Sequence, residues 1–161
     1  MMKRIVIAMI FVLGFQLCHA QTVDGLFREF RGEENATCVN LPWLPLKLLG
    51  LFADDEAGQI VKRISSIRVL ELSDCSREVQ ERLASKLQTL KMDDYEPLIV
   101  VKDEGSHVRM WGKMKDDTIK ELVIGVSGDG DAVLCYIKGD LRMDDLNFSM
   151  ENNNVTLLSG K

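Results

Sequence analysis

At Pro97 the apolar residues change period, and that change restricts the fold more than any other feature of the chain. After Pro97 the pattern is that of strands. Leu98-Ile99-Val100-Val101 runs into Asp103-Glu104-Gly105, and Val108, Met110 and Met114 then alternate with Arg109, Trp111 and Lys113. Asp116-Asp117 leads into residues 119–126, and Gly128-Asp129-Gly130-Asp131 leads into residues 132–137. Four strands joined by short Asp/Gly turns predict an antiparallel meander. Before Pro97 the spacing is helical: Val79, Leu83, Leu87 and Leu90 form one stripe opposite Glu81, Arg82, Ser85 and Lys86, with Ser76 placed as the N-cap. Helical pattern followed by strand pattern predicts an α+β fold, an antiparallel sheet with helices packed on one face. Leu83 and its stripe should lie against that sheet.

The rest of the N-terminal half adds shorter elements. Val23, Leu26, Phe27 and Phe30 suit a short helix within residues 21–34, and residues 37–41 a short strand. Pro42 to Pro45 suits a helix's first turn, where a missing N–H costs nothing. Leu46, Leu48, Leu49, Leu51 and Phe52 then make a helix that is apolar nearly all round. A second helix begins at Asp54-Asp55-Glu56 and ends at Lys62-Arg63, with acids at its positive end and bases at its negative end. Ser65-Ser66 should break it, and Ile67 to Leu72 alternates as a half-buried strand. A last amphipathic helix is expected over residues 143–150, with a frayed tail beyond. No repeat or linker divides residues 21–161, so one domain is expected there.

Residues 1–20 read as a signal peptide: a basic start at Lys3-Arg4, an apolar run too short to span a bilayer comfortably, and Ala20 before the cut. Export to the periplasm or envelope is therefore expected. Cys18 raises the question of lipidation, but Leu17 is a large residue where a lipobox wants a small one, so lipid anchoring is not expected. The signal carries two bases and no acid, which leaves the remainder more acidic than the net charge of −5 for the whole chain. An acidic domain without a basic patch repels phosphate backbones, so no nucleic-acid partner is expected. Past the signal the cysteines are Cys38, Cys75 and Cys135. Cys135 alternates with Leu134 and Tyr136 on the side of Val133 and Ile137, the side expected to face the core. Only Cys38 and Cys75 are candidates for a bridge.

No residue pattern identifies a reaction. His107 is the one imidazole past the signal, beside a hairpin turn and without a nucleophile motif. No spacing supplies zinc ligands, and Gly128-Asp129-Gly130-Asp131 lacks the distant bidentate glutamate of a calcium loop. The acidic clusters fall at turns and helix starts, where they are solvated and ionised, unlike the buried acid that a glycosidase needs. Catalytic, cofactor and metal residues are accordingly none. Two surfaces remain as interaction candidates. Segment 41–52, from Leu41 to Phe52, is either a buried helix or an apolar surface that docks a protein or a lipid leaflet, with Trp43 and Leu44 at its boundary. The strand face of Arg109, Trp111, Lys113 and Lys115 is the second, and could equally be the plain solvated side of the sheet.

Several blocks together resemble a known family. They are Val39-Asn40-Leu41-Pro42 with its Leu-rich continuation, Ile67-Arg68-Val69-Leu70 followed by Cys75-Ser76, and Tyr95-Glu96-Pro97-Leu98. Leu122-Val123-Ile124 and Ile137-Lys138-Gly139-Asp140 complete the set. Over about residues 27–148 the chain is similar to a family of small exported bacterial proteins, domain-of-unknown-function family 4252. The resemblance implies export in Gram-negative bacteria, often with a lipid anchor, from which Leu17 departs. It implies no activity, so it transfers no catalytic residue. The resulting expectation is a non-enzymatic envelope or periplasmic binding module whose partner is an envelope protein. The alternatives are a carboxylate-based hydrolase and a protein that contacts the membrane surface through segment 41–52.

Overall fold

The computed structural model describes residues 22–44 and 55–145. Their elements run α1 (Val23–Phe30), β1 (Thr37–Pro42), α2 (Asp55–Arg63), β2 (Ile64–Glu71), α3 (Arg77–Thr89), β3 (Glu96–Asp103), β4 (Ser106–Lys115), β5 (Thr118–Gly128) and β6 (Asp131–Leu141). The leucine-rich residues 46–52 and the latter part, 146–150, of the helix expected over 143–150 lie outside the described residues; residues 143–145 are helical.

Local chemistry sets the helix starts. The backbone N–H of Gly25 donates to Thr22 Oγ1 at 3.0 Å, and that of Val79 donates to Ser76 Oγ at 3.4 Å, each filling one of the donors a helix start leaves free. The helix α2 does end here, at Arg63, just ahead of Ser65 and Ser66. They lie inside β2, which follows directly on α2, and the register shift between Ile64 and Ser66 absorbs the change of direction. Pro42 closes β1 opposite Ser66, a tolerated place because β1 is an edge strand, and a helix opens directly after it at Trp43 and Leu44, as the proline pair leads one to expect.

All six strands form one sheet in the order β1-β2-β6-β5-β4-β3, every neighbour antiparallel. The last four are the expected meander, and the class is α+β as expected. The β5–β6 hairpin turns through left-handed residues Gly128, Asp129 and Gly130, and a Cβ at Gly128 would run into the carbonyl oxygen of Gly105 in the β3–β4 turn. The two turns thus pack on each other.

Helices α1 and α3 cover one face. Leu26, Phe27 and Phe30 of α1 and Val79, Leu83 and Leu87 of α3 close over Leu70, Trp111, Val123, Leu134 and Tyr136. Leu83 is 0% exposed, as its stripe predicts. Outside this core, Arg82 reaches Glu29 and Glu33 while Lys86 reaches Glu29, joining the two helices through partly exposed ion pairs worth about 0–1 kcal/mol each.

The opposite face is apolar too. Its middle row crosses the whole sheet in register as Val39, Val69, Cys135, Ile124, Met110 and Ile99. Val133, Val126, Val108 and Val101 make the row beside it. On this face α2 brings Ile60 against Ile119, Leu122 and Leu141, so α2 lies across the sheet from α1 and α3. Two expectations about sides are corrected. The helices α1 and α3 lie over the face of Leu134 and Tyr136, not over that of Cys135, which is half-buried. Trp111, expected on an open strand face, is 7% exposed beneath them.

Candidate functional site

The most concentrated polar chemistry lies where β5, β6 and the segment before β3 meet. Glu121 follows a register shift in β5, Tyr136 is its neighbour on β6, and Tyr95 enters from the loop ahead of Glu96. Both tyrosines donate to one carboxylate oxygen, Tyr136 Oη lying 2.5 Å from Glu121 Oε2. Lys113 Nζ approaches Glu121 Oε1 at 4.0 Å and Asp94 Oδ2 at 3.6 Å. The ring of Tyr136 carries Arg68 and Lys138, each 5.3 Å from its centroid. In front of this group opens a cavity of about 360 Å³, with Asp24, Asp93, Asp94 and Lys138 in its wall.

The electrostatics fix the protonation states. Burial raises the affinity of Glu121 for a proton, but hydrogen bonds from Tyr136 and Tyr95, with Lys113 and Lys138 nearby, outweigh it and hold the carboxyl below its usual range. Burial and then the bond to Glu121 push both phenols well above theirs. The group is therefore an ionised carboxylate held by two neutral donors. That arrangement stores charge well. It is a poor general acid, because a proton placed on Glu121 would break the bonds that hold it.

A second cavity of about 580 Å³ lies between the start of α3 and the β5–β6 turn, lined by Cys75, Arg77, Gln80, Glu81, Asp129 and Asp131 among others. Burial, then Glu33 and Asp74, push the Cys75 thiol up, which keeps it from being a ready nucleophile. Asp129 Oδ2 accepts from the Ser106 hydroxyl at 3.4 Å, a bond that ties the two turns together. Among the described residues no three of His, Cys, Asp and Glu group closely enough to hold a metal ion. His107 is half-buried in β4, paired in register with Lys102 and Ser127. Cys38 is exposed, Cys75 buried, and the two are not bridged.

The surface residues expected from the sequence divide. Trp43 and Leu44 are 53% and 55% exposed just past β1, whose own Val39 is 43% exposed. Arg109, Trp111 and Lys113 do share one face of β4, but not an open one. Arg109 donates to the carbonyl of Gln88 in α3 at 3.1 Å, Trp111 is core, and Lys113 belongs to the Glu121 group. Tyr95, Glu121 and Tyr136 were not singled out from the sequence. Their one signal is a tyrosine inside the apolar run of β6, whose buried hydroxyl needs a partner.

Comparisons with curated proteins and with solved structures find no match. The family model described as Domain of unknown function (DUF4252) matches residues 30–148, from the end of α1 to just beyond β6. A match that spans all six strands makes the chain a member of that family.

Proposed function

We propose that this protein is an exported, non-enzymatic interaction module of the bacterial envelope, and that it takes a protein partner along its β1 edge. The observation that carries the reading is the exposure of Val39, Trp43 and Leu44 on and just after an edge strand. An edge strand offers unpaired backbone donors and acceptors to an incoming strand, and large apolar side chains beside it supply the burial that holds one there. Export rests on residues 1–20. The hydrolase alternative is weakened by Glu121, whose two tyrosine donors favour the charged carboxylate over the protonated acid that such an enzyme requires.

The test is capture from the envelope fraction of cells that carry the protein, with the host-processed chain as bait. A specific envelope protein should be retained by the wild type and lost with Trp43→Ser or Leu44→Ser. Equal capture by wild type and both variants would rule out the β1 edge as the docking site.

A further inference from the structure

We propose that the apolar face opposite α1 and α3 is a dimer interface, on which a second copy of this chain packs sheet against sheet. The row Val39-Val69-Cys135-Ile124-Met110-Ile99 contains no charged side chain, and the row Val133-Val126-Val108-Val101 meets one only where it continues onto β2 at Glu71, yet each of these apolar residues remains partly accessible. An antiparallel sheet normally turns one apolar face to its core and a polar one to water. Here the core side is already occupied by α1 and α3, and of the described helices only α2 reaches the other side, where Ile60 covers the end near Ile119 and Leu141.

Three features favour a second copy over another occupant. The first is area. Six strands at ordinary spacing, over the length α2 leaves open, give about 500 Å² per copy, hence about 1,000 Å² for a pair. The total reaches the lower bound for a specific interface. The second is composition. Transient interfaces between different proteins carry polar groups in proportion to the general surface, whereas homodimer interfaces are enriched in apolar area. A face whose middle row has no polar anchor suits its own duplicate, since a two-fold pair needs only one patch that fits itself. The third is charge. The chain is acidic, with a net charge of −5, so copies repel over most of their surface. Meeting on the middle row brings no like charges into direct contact, since Glu71 lies at the β2 end of the neighbouring row. Two such sheets would sit about 10 Å apart with side chains interleaved.

Sedimentation of the host-processed protein across a concentration series reads the proposal directly, and Cys135 in the middle row supplies an independent probe. The expected result is a mass that doubles with concentration, together with alkylation of Cys135, read peptide by peptide, that slows as the dimer fills. Met110→Lys should keep the circular dichroism of the wild type and remain at the monomer mass. If that variant fails to fold, the concentration dependence of wild-type Cys135 labelling still decides. A monomer at every concentration overturns the proposal. Fast labelling would then mean that another molecule uses the face, and uniformly slow labelling that a further part of the same chain covers it. Neither result touches the docking of an envelope protein at Trp43 and Leu44, which capture tests separately. Conversely, loss of capture in Trp43→Ser should leave the doubled mass unchanged.

Discussion

Tyr136 donates its hydroxyl proton to Glu121 Oε2 at 2.5 Å, from one central strand of the sheet to the next, and the same oxygen accepts from Tyr95. One carboxylate thereby ties β5, β6 and the segment ahead of β3. Hydrogen bonds to a charged acceptor are worth about 1.5–3 kcal/mol each. Tyr136→Phe should lower unfolding stability at pH 7 by about that amount, and Tyr95→Phe by a similar or smaller one, since the second donor remains in each case. Urea unfolding midpoints at constant slope measure both. A loss no larger for Tyr136→Phe than for an exposed substitution would mean that solvent already satisfies Glu121.

The same carboxylate predicts how stability responds to acid. Its pKa in the folded protein lies below the 4.5 usual for a glutamate. The unfolded chain therefore takes up the proton first, and the stabilisation is complete above pH 4.5, then lost as pH falls through the lower, folded pKa. Urea midpoints of the wild type should fall over that acidic interval. Glu121→Gln should be less stable at pH 7 and should show a shallower fall, because the amide does not titrate. Parallel curves for the two proteins would assign the acid sensitivity to other carboxyls.

Alternation explains both what could be read in advance and what could not. The spacing of Val79, Leu83 and Leu87 fixes a helix face without reference to the rest of the fold, and that face is the buried one. Period two likewise separates Trp111 from Met110, but it does not say which side the helices will take when both sides are apolar. In β4 the partners of Trp111 lead to Val123 and Tyr136, those of Met110 to Ile124 and Cys135. Nothing local distinguishes them. The Glu121 group was hidden for a different reason. By simple alternation Glu121 would share the side of Ile119, next to Leu141. The register shift between those residues puts Ile119 with Leu122 and Leu141 instead, while Glu121 keeps the side of Val123 and Tyr136. A bulge leaves no mark in the hydrophobic pattern, so two tyrosines and a glutamate from three segments meet without a sequence motif.

Leu83 offers the sharpest test of the first core. It is fully buried between α3 and the sheet, so Leu83→Ala should cost about 2–5 kcal/mol through lost burial and a residual cavity. Leu83→Asp adds a carboxylate without a partner, and at the marginal stability of a domain this size it should abolish cooperative unfolding altogether. Thermal scans followed by circular dichroism distinguish the two. A Leu83→Asp protein with the wild-type midpoint would contradict the packing of α3.

The two glycines of the β5–β6 turn separate backbone strain from contact. Gly130 has φ of +90° and open space where a Cβ would point, whereas Gly128 has φ of +108° and the Gly105 carbonyl in that direction. Gly130→Ala should therefore cost only the price of an unfavourable backbone region, of order 1–3 kcal/mol. Gly128→Ala should cost more, because the β3–β4 turn must also move away from its neighbour. The difference between their thermal midpoints measures how firmly the two turns are held together. Breaking the Ser106–Asp129 link with Ser106→Ala should shrink that difference, since a turn freed from its neighbour can make room for the new methyl group. Equal losses for Gly128→Ala and Gly130→Ala in the wild-type background would mean that the turns do not press on each other in solution.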